Sequence, residues 1–168
     1  MSRTSRLLHA AAFLSLAAVI VALISQHLFD MRPCAWCVIQ RLVLLVIALV
    51  CWGGVWAERR GHVALPRVAA ALAAALGALG IVAAWYQHSV AAKMFSCDQT
   101  FADKFMVASG LDAHIPWLFG IFATCMDARV ELLGVEYALW ALALFALVSL
   151  LAVAALAGRP HRGGTQRH

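Results

Sequence analysis

RPCAWCVIQRLVLLVIALVCWGGVWAERR, residues 32–60, joins a C-x-x-C pair to an apolar run that carries a single arginine, Arg41, one turn inside it. The run from Val38 to Ala57 is close to the ~20 residues a helix needs to cross ~30 Å of hydrocarbon. Leu7–Phe29, Val68–Tyr86 and Tyr137–Ala157 have similar length and are likewise rich in Ala, Leu and Val. Backbone groups in hydrocarbon must be satisfied within their own segment, and no alternating pattern of barrel strands is present, so all four runs are read as helices.

Composition agrees. Apolar residues make up 64% of the 168-residue chain and charged residues only 12%, with a mean hydropathy of +0.87, far from a soluble domain. The expected fold is an all-α integral membrane protein, one domain over residues 1–168 built as a four-helix bundle. Its helices are placed at 7–29, 38–57, 68–86 and 137–157, its short loops at 30–37 and 58–67, a long loop at 87–136, and tails at 1–6 and 158–168. Arg3 and Arg6 could begin a signal peptide. However, the apolar stretch after them exceeds the about 7–15 residues of an h-region and QHLFD offers no small-residue cleavage pattern, so the first helix is read as retained.

Charge sets the expected orientation. The tails and the 58–67 loop carry a net +7, against −2 for the other two loops when Arg41 is assigned to them. The positive-inside rule then puts both termini in the cytoplasm and the loops 30–37 and 87–136 outside it. The basic balance reflects this topology, and nucleic-acid binding is not expected; GRPHRGGTQRH is read as a solvated tail near anionic headgroups.

Four of the five cysteines, Cys34, Cys37, Cys97 and Cys125, fall in the outer loops, where disulfides can persist; Cys51 lies within the second helix and is read as a packed apolar residue. A C-x-x-C alone fits a redox centre, a metal clip or a staple. Zinc would need two more ligands at metal-type spacing, and Val38 rather than histidine follows Cys37, which removes c-type haem attachment. Pro33 biases Arg32 away from helix, so the pair is placed in the first turn of the second helix, where unsatisfied N–H groups favour a thiolate. Arg41 lies four residues beyond Cys37 on the same face, and so deep an arginine requires a partner or a route to the interface. A membrane quinone suits this setting: it accepts two electrons, its carbonyls match an arginine donor, and a thiolate is the matching nucleophile.

Cys97 and Cys125 enclose 27 residues. Closing that loop could simply brace it, contributing about 3–4 kcal/mol, yet CDQTFADK reads as polar and mobile. IPWLFGIF, residues 115–122, is too short to span and is read as a short interfacial helix. Two outer pairs, one at the membrane and one on a movable loop, suggest a thiol–disulfide relay.

At these residues the sequence resembles the bacterial disulfide-bond formation protein B (DsbB) family over nearly its whole length. The resemblance rests on four helices, a C-x-x-C with arginine four residues after its second cysteine, QH at residues 26–27, YQH at 86–88, and CMDARVELLGVEYALW from Cys125. It implies a quinone-dependent thiol oxidase of the bacterial inner membrane, supporting disulfide formation with its redox loops in the periplasm. A DsbA-like periplasmic thiol oxidase would be its protein partner, and ubiquinone or menaquinone its cofactor, without metal or haem. The resemblance makes Cys97 the residue of the mixed disulfide, Cys125 its partner, and Cys34 and Cys37 the next pair. It places the quinone beside Cys37 and Arg41, with His88 nearby; by physics alone His88 could equally be an interfacial hydrogen-bonding residue. Gln40 stands where the family often carries an acid, and Ala35-Trp36 is a bulky C-x-x-C interior. A reductase resembling vitamin K epoxide reductase and a purely structural tetraspan are the competing readings, and Arg41 argues against the second because a brace does not need it.

Overall fold

The computed structural model describes residues 2–93 and 99–158. Four long helices, α1 (Arg3–Leu28), α2 (Ala35–Arg59), α3 (Leu65–Ser89) and the last helix, Tyr137–Leu156, are each long and apolar enough to cross a membrane. They pack as a ring in which α1 neighbours α2 and the last helix, and α3 lies diagonally opposite α1. Between α3 and the last helix come a single 3-10 turn (Ala91–Lys93) and the short helices α4 (Phe101–Ser109), α5 (Leu111–His114) and α6 (Pro116–Phe119). A two-stranded hairpin follows, β1 (Glu131–Leu132) and β2 (Val135–Glu136), leading directly into the last helix, α7.

The boundaries follow local chemistry. Ser2 caps α1 by accepting from Ser5 N at 3.0 Å, Cys34 in extended backbone precedes α2, and Pro66 occupies the first turn of α3, where its missing N–H costs nothing. α1 to α3 extend beyond the apolar runs that announce them because Arg3, Arg6, Arg59, Arg67 and His88 continue the helices past the hydrocarbon-length core. Small residues on α3, including Ala73, Gly77 and Gly80, form its packed face, and a Cβ at Gly80 would lie 2.2 Å from Cδ1 of the fully buried Phe145. Close backbone approach of this kind is how apolar helices associate when lipid is as apolar as they are. Cys51 is fully buried in the main core among residues such as Leu8, Ile47 and Phe145, while Phe13, Leu49, Leu79 and Leu150 face outward, as lipid-facing side chains do.

The long loop is more ordered than its polarity suggests. Thr100 and Asp103 form a reciprocal capping box that starts α4, and Gly110, at φ 69°, ends it. Met106 and Phe119 then bury themselves against Val38 of α2 in a second apolar cluster that also takes in Ile39, Leu42 and Leu118. Burying two such side chains stabilises the docked loop by about 1.5–3 kcal/mol each. The loop read as movable is therefore held against the bundle over residues 101–119, with Cys97 and Asp98 of CDQTFADK outside the described residues, and α4 is an element that sequence reading did not anticipate. The IPWLFGIF stretch does contain a short helix, α6, with Trp117 exposed and Phe119 inward.

Candidate redox site

Cys34 and Cys37 bracket the first turn of α2, with their sulfurs 3.4 Å apart. That is contact between two thiols, within the reach of bond formation by a small side-chain movement. Cys34 is fully buried. The Cys125 thiol beside it, opposed by Cys37 and reinforced by burial, pushes the Cys34 thiol up to about 12, so in this state Cys34 holds its proton at neutral pH. Cys125 reaches this position because Phe122 N and Ala123 N both donate to Pro33 O, at 3.0 and 3.3 Å. Cys34, Cys37 and Cys125 thus form one cluster; Cys97 lies outside the described residues.

Cys37 faces a different environment. Gln87 Nε2, from the end of α3, donates to Cys37 Sγ at 3.1 Å, and Gln87 Oε1 accepts from Gln40 Nε2 at 2.7 Å. Both glutamines are buried, so each amide is fixed by the other. A neutral amide donor stabilises developing negative charge on sulfur without adding a titratable group of its own. The glutamine at position 40, a departure when read as sequence, has a definite place here.

Arg41 is only 6% exposed. Its Nη1 donates to Gln26 Oε1 at 2.5 Å and to Leu118 O at 3.1 Å, and its Nη2 donates to Ala22 O at 3.3 Å. The arginine therefore joins α1, α2 and α6 rather than snorkelling to the surface. These bonds use three of its five N–H donors, leaving donors for a ligand.

Cys37, Gln40, Arg41, Gln87 and Tyr137 supply the polar part of a cavity of about 420 Å³, whose remaining wall includes Ala18, Val21, Ala22, Leu44, Trp140, Leu144 and Leu147. Val21, Trp140 and Leu147 are about half exposed, so the cavity borders the apolar outer face of the bundle. A mostly apolar cleft of this size with a few convergent polar groups is the general form of a small-molecule site.

His88 does not line this cavity. Its Nδ1 donates to Glu136 Oε2, and Glu136 Oε1 accepts from Arg129 Nη2. The other boundary histidine, His27, bonds Trp117 O through Nε2 at 3.0 Å and secures α6 to the end of α1. Among the described residues no group of three His, Cys, Asp or Glu side chains is arranged to hold a metal ion. Sequence reasoning did not single out Gln26, Gln87, Glu136 or Tyr137 as site residues. The two glutamines carried a signal, being amides at the ends of apolar helices where an unpaired polar group is costly.

The family model for disulfide bond formation protein DsbB matches residues 4–155. The chain belongs to the DsbB family. Disulfide bond formation protein B of Herminiimonas arsenicoxydans is 32% identical over 151 residues, covering 89% of this chain and 93% of that protein. The proteins of the same name from Psychromonas ingrahamii and Pectobacterium atrosepticum are 32% and 30% identical, covering 89% and 90% of this chain and 79% and 85% of their own lengths. DsbB-family membership, with four membrane-length helices, makes this a multi-pass membrane protein of bacterial disulfide formation.

Proposed function

We propose that the protein is an inner-membrane thiol:quinone oxidoreductase that reoxidises a DsbA-like periplasmic dithiol protein, with its termini cytoplasmic and the loops bearing Cys34, Cys37, Cys97 and Cys125 periplasmic. The observation that carries this reading is the double environment of the C-x-x-C: Cys34 lies beside the loop that bears Cys125, whereas Cys37 lines an apolar cavity with Arg41. A brace would have no use for the second environment. The reversed electron flow of a reductase would need an electron source for which no feature of the site speaks.

In the proposed sequence, the partner's thiolate attacks a Cys97–Cys125 disulfide at Cys97, and Cys125 leaves as thiolate. The partner's second thiol then displaces Cys97 and departs as a disulfide. The Cys125 thiolate attacks Cys34 of a Cys34–Cys37 disulfide, forming Cys34–Cys125 and expelling Cys37 as thiolate. Cys97 next displaces Cys34, restoring Cys97–Cys125 and leaving Cys34 and Cys37 reduced. Two electrons and two protons have then moved from the partner to the C-x-x-C, each exchange trading one S–S bond for another.

Ubiquinone or menaquinone fits the cavity by its apolar wall, its volume and its donors, Arg41 and the glutamine pair, and when bound it supplies the acceptor, taking up two electrons and two protons as quinol. Gln87 stabilises the Cys37 sulfur as its proton leaves. Arg41, anchored by Gln26 and two carbonyls, holds positive charge at the cavity wall. The test is steady-state reduction of a soluble quinone by purified protein supplied with a reduced DsbA-like partner. Activity should require all four cysteines; wild-type turnover in Cys37→Ser or Cys125→Ser would contradict the scheme.

A further inference from the structure

Cys125 sits on a segment secured on both sides. Upstream, Phe122 and Ala123 bond to Pro33, next to Cys34. Downstream, the chain passes through Arg129, turns through the β1–β2 hairpin and returns to Glu136. The hairpin turn is Leu133-Gly134, with φ 57° and 78°, the left-handed pair of a type I′ turn. Tyr137 N donates to Val130 O at 2.9 Å and closes its base. This geometry brings Arg129 and Glu136 side by side, and Glu136 then uses its second oxygen for His88 at the end of α3. The Glu136 side chain is only 16% exposed. A small cleft lined by Gln87, His88, Cys125, Arg129, Glu136 and Tyr137 shows that this carboxylate borders the cysteine-bearing segment.

We infer that Glu136 is a positioning residue for thiol–disulfide exchange: its carboxylate, shared between Arg129 and His88, clasps the Cys125 segment to α3 and keeps the Cys125 sulfur within reach of Cys34. Ion pairing on an exposed surface would contribute little. Arg129 is itself about half exposed, but both carboxylate oxygens are used, one partner is on the segment to be held and the other on the rigid bundle, so the carboxylate links two bodies. The upstream anchor uses backbone groups and is insensitive to side-chain change. The clasp is the part of the arrangement that substitution can release.

The inference rests on the proposed relay only in giving the Cys34–Cys125 contact a purpose, and its test needs neither quinone nor protein partner. In detergent-solubilised Cys37→Ser/Cys97→Ser protein, Cys34 and Cys125 are equilibrated with a glutathione redox buffer. Two thiols and one oxidised glutathione give the Cys34–Cys125 disulfide and two reduced glutathiones, and the equilibrium constant is the effective concentration of the two cysteines. Glu136→Gln, close in shape but uncharged, and Arg129→Met should each lower that value by about tenfold, with the double variant no lower than either alone. The melting temperature of the bundle should stay unchanged. Effective concentrations within about twofold of the parent in both single variants, or a fall matched by loss of bundle stability, would overturn the inference. Failure of quinone reduction in the protein with all its cysteines would leave this result standing and count against the proposed function instead.

Discussion

Replacing Arg41 with alanine removes a tie between α1, α2 and α6 as well as a donor from the cavity, and the two consequences can be measured apart. The substitution deletes donations to Gln26 Oε1, Leu118 O and Ala22 O. Hydrogen bonds from a charged donor contribute roughly 1.5–3 kcal/mol each, and relief of the cost of burying a guanidinium offsets part of their sum. The Ala22 bond, at 3.3 Å, is the weakest of the three. A net loss of about 2–3 kcal/mol is expected, which for a chain of this size lowers the melting temperature by about 4–12 °C. Arg41→Lys keeps the charge but cannot span three acceptors with a forked head, so about half that loss is expected. The assay is thermal unfolding in detergent followed by far-UV circular dichroism, with the quinone KM measured well below the transition. A raised KM in Arg41→Ala at unchanged melting temperature would refute the structural part of the reasoning. A lowered melting temperature with unchanged KM would refute the assignment of Arg41 to the cavity's function.

Gly80→Ala places a methyl group into the ring of Phe145 and should destabilise the α3–α7 contact by about 1–3 kcal/mol, seen as a lower melting temperature. Met106→Ala should weaken loop docking by about 2–5 kcal/mol, read as faster proteolysis within residues 99–121 while the bundle's melting changes little. Glu136 is held below the ordinary carboxylate range, first by its hydrogen bond to Arg129 and then by His88. Its contribution is therefore complete above the usual value of about 4.3 and is lost as pH falls through the lowered one. Arg129, His88, across the hairpin register Glu131, and, around the same cleft, Cys125 and Tyr137 are the charged or titratable groups near it. Hydrogen exchange over residues 130–137, corrected for intrinsic rates, should accelerate as pH falls below about 4; the same acceleration in Glu136→Gln would contradict this.

The four spanning helices were legible because hydrocarbon length and composition leave a chain little choice, and the thiol pair at the start of α2 followed from Pro33. The order in the long loop was partly written in the sequence: Thr100 and Asp103 stand three apart, as a capping box requires, but their polarity also reads as mobile loop. What decides between those readings is the burial of Met106 and Phe119 against Val38, a contact between segments distant in the chain that no local pattern encodes. The site divides in the same way. Arg41 stood out as a charge in an apolar run, and Cys34 and Cys37 by their spacing. The Gln40–Gln87 pair and the Arg129–Glu136–His88 clasp each join side chains from different elements, and single positions do not reveal them. His88 was singled out for the quinone site, and its observed partner is Glu136.

If Cys37 passes electrons from the C-x-x-C to a quinone in the cavity beside Arg41, a single turnover will show it without the protein partner. Reduced protein carrying Cys97→Ser and Cys125→Ser is mixed with a soluble ubiquinone analogue, and thiols and quinol are counted over time. Both C-x-x-C thiols should be lost for each quinol formed, at a rate that falls when Leu144 at the cavity wall is enlarged to Trp or Trp140 is made polar, and no quinol should form when Cys37 is serine. Quinol formed at an undiminished rate without Cys37, or thiol loss indifferent to the cavity substitutions, would contradict it.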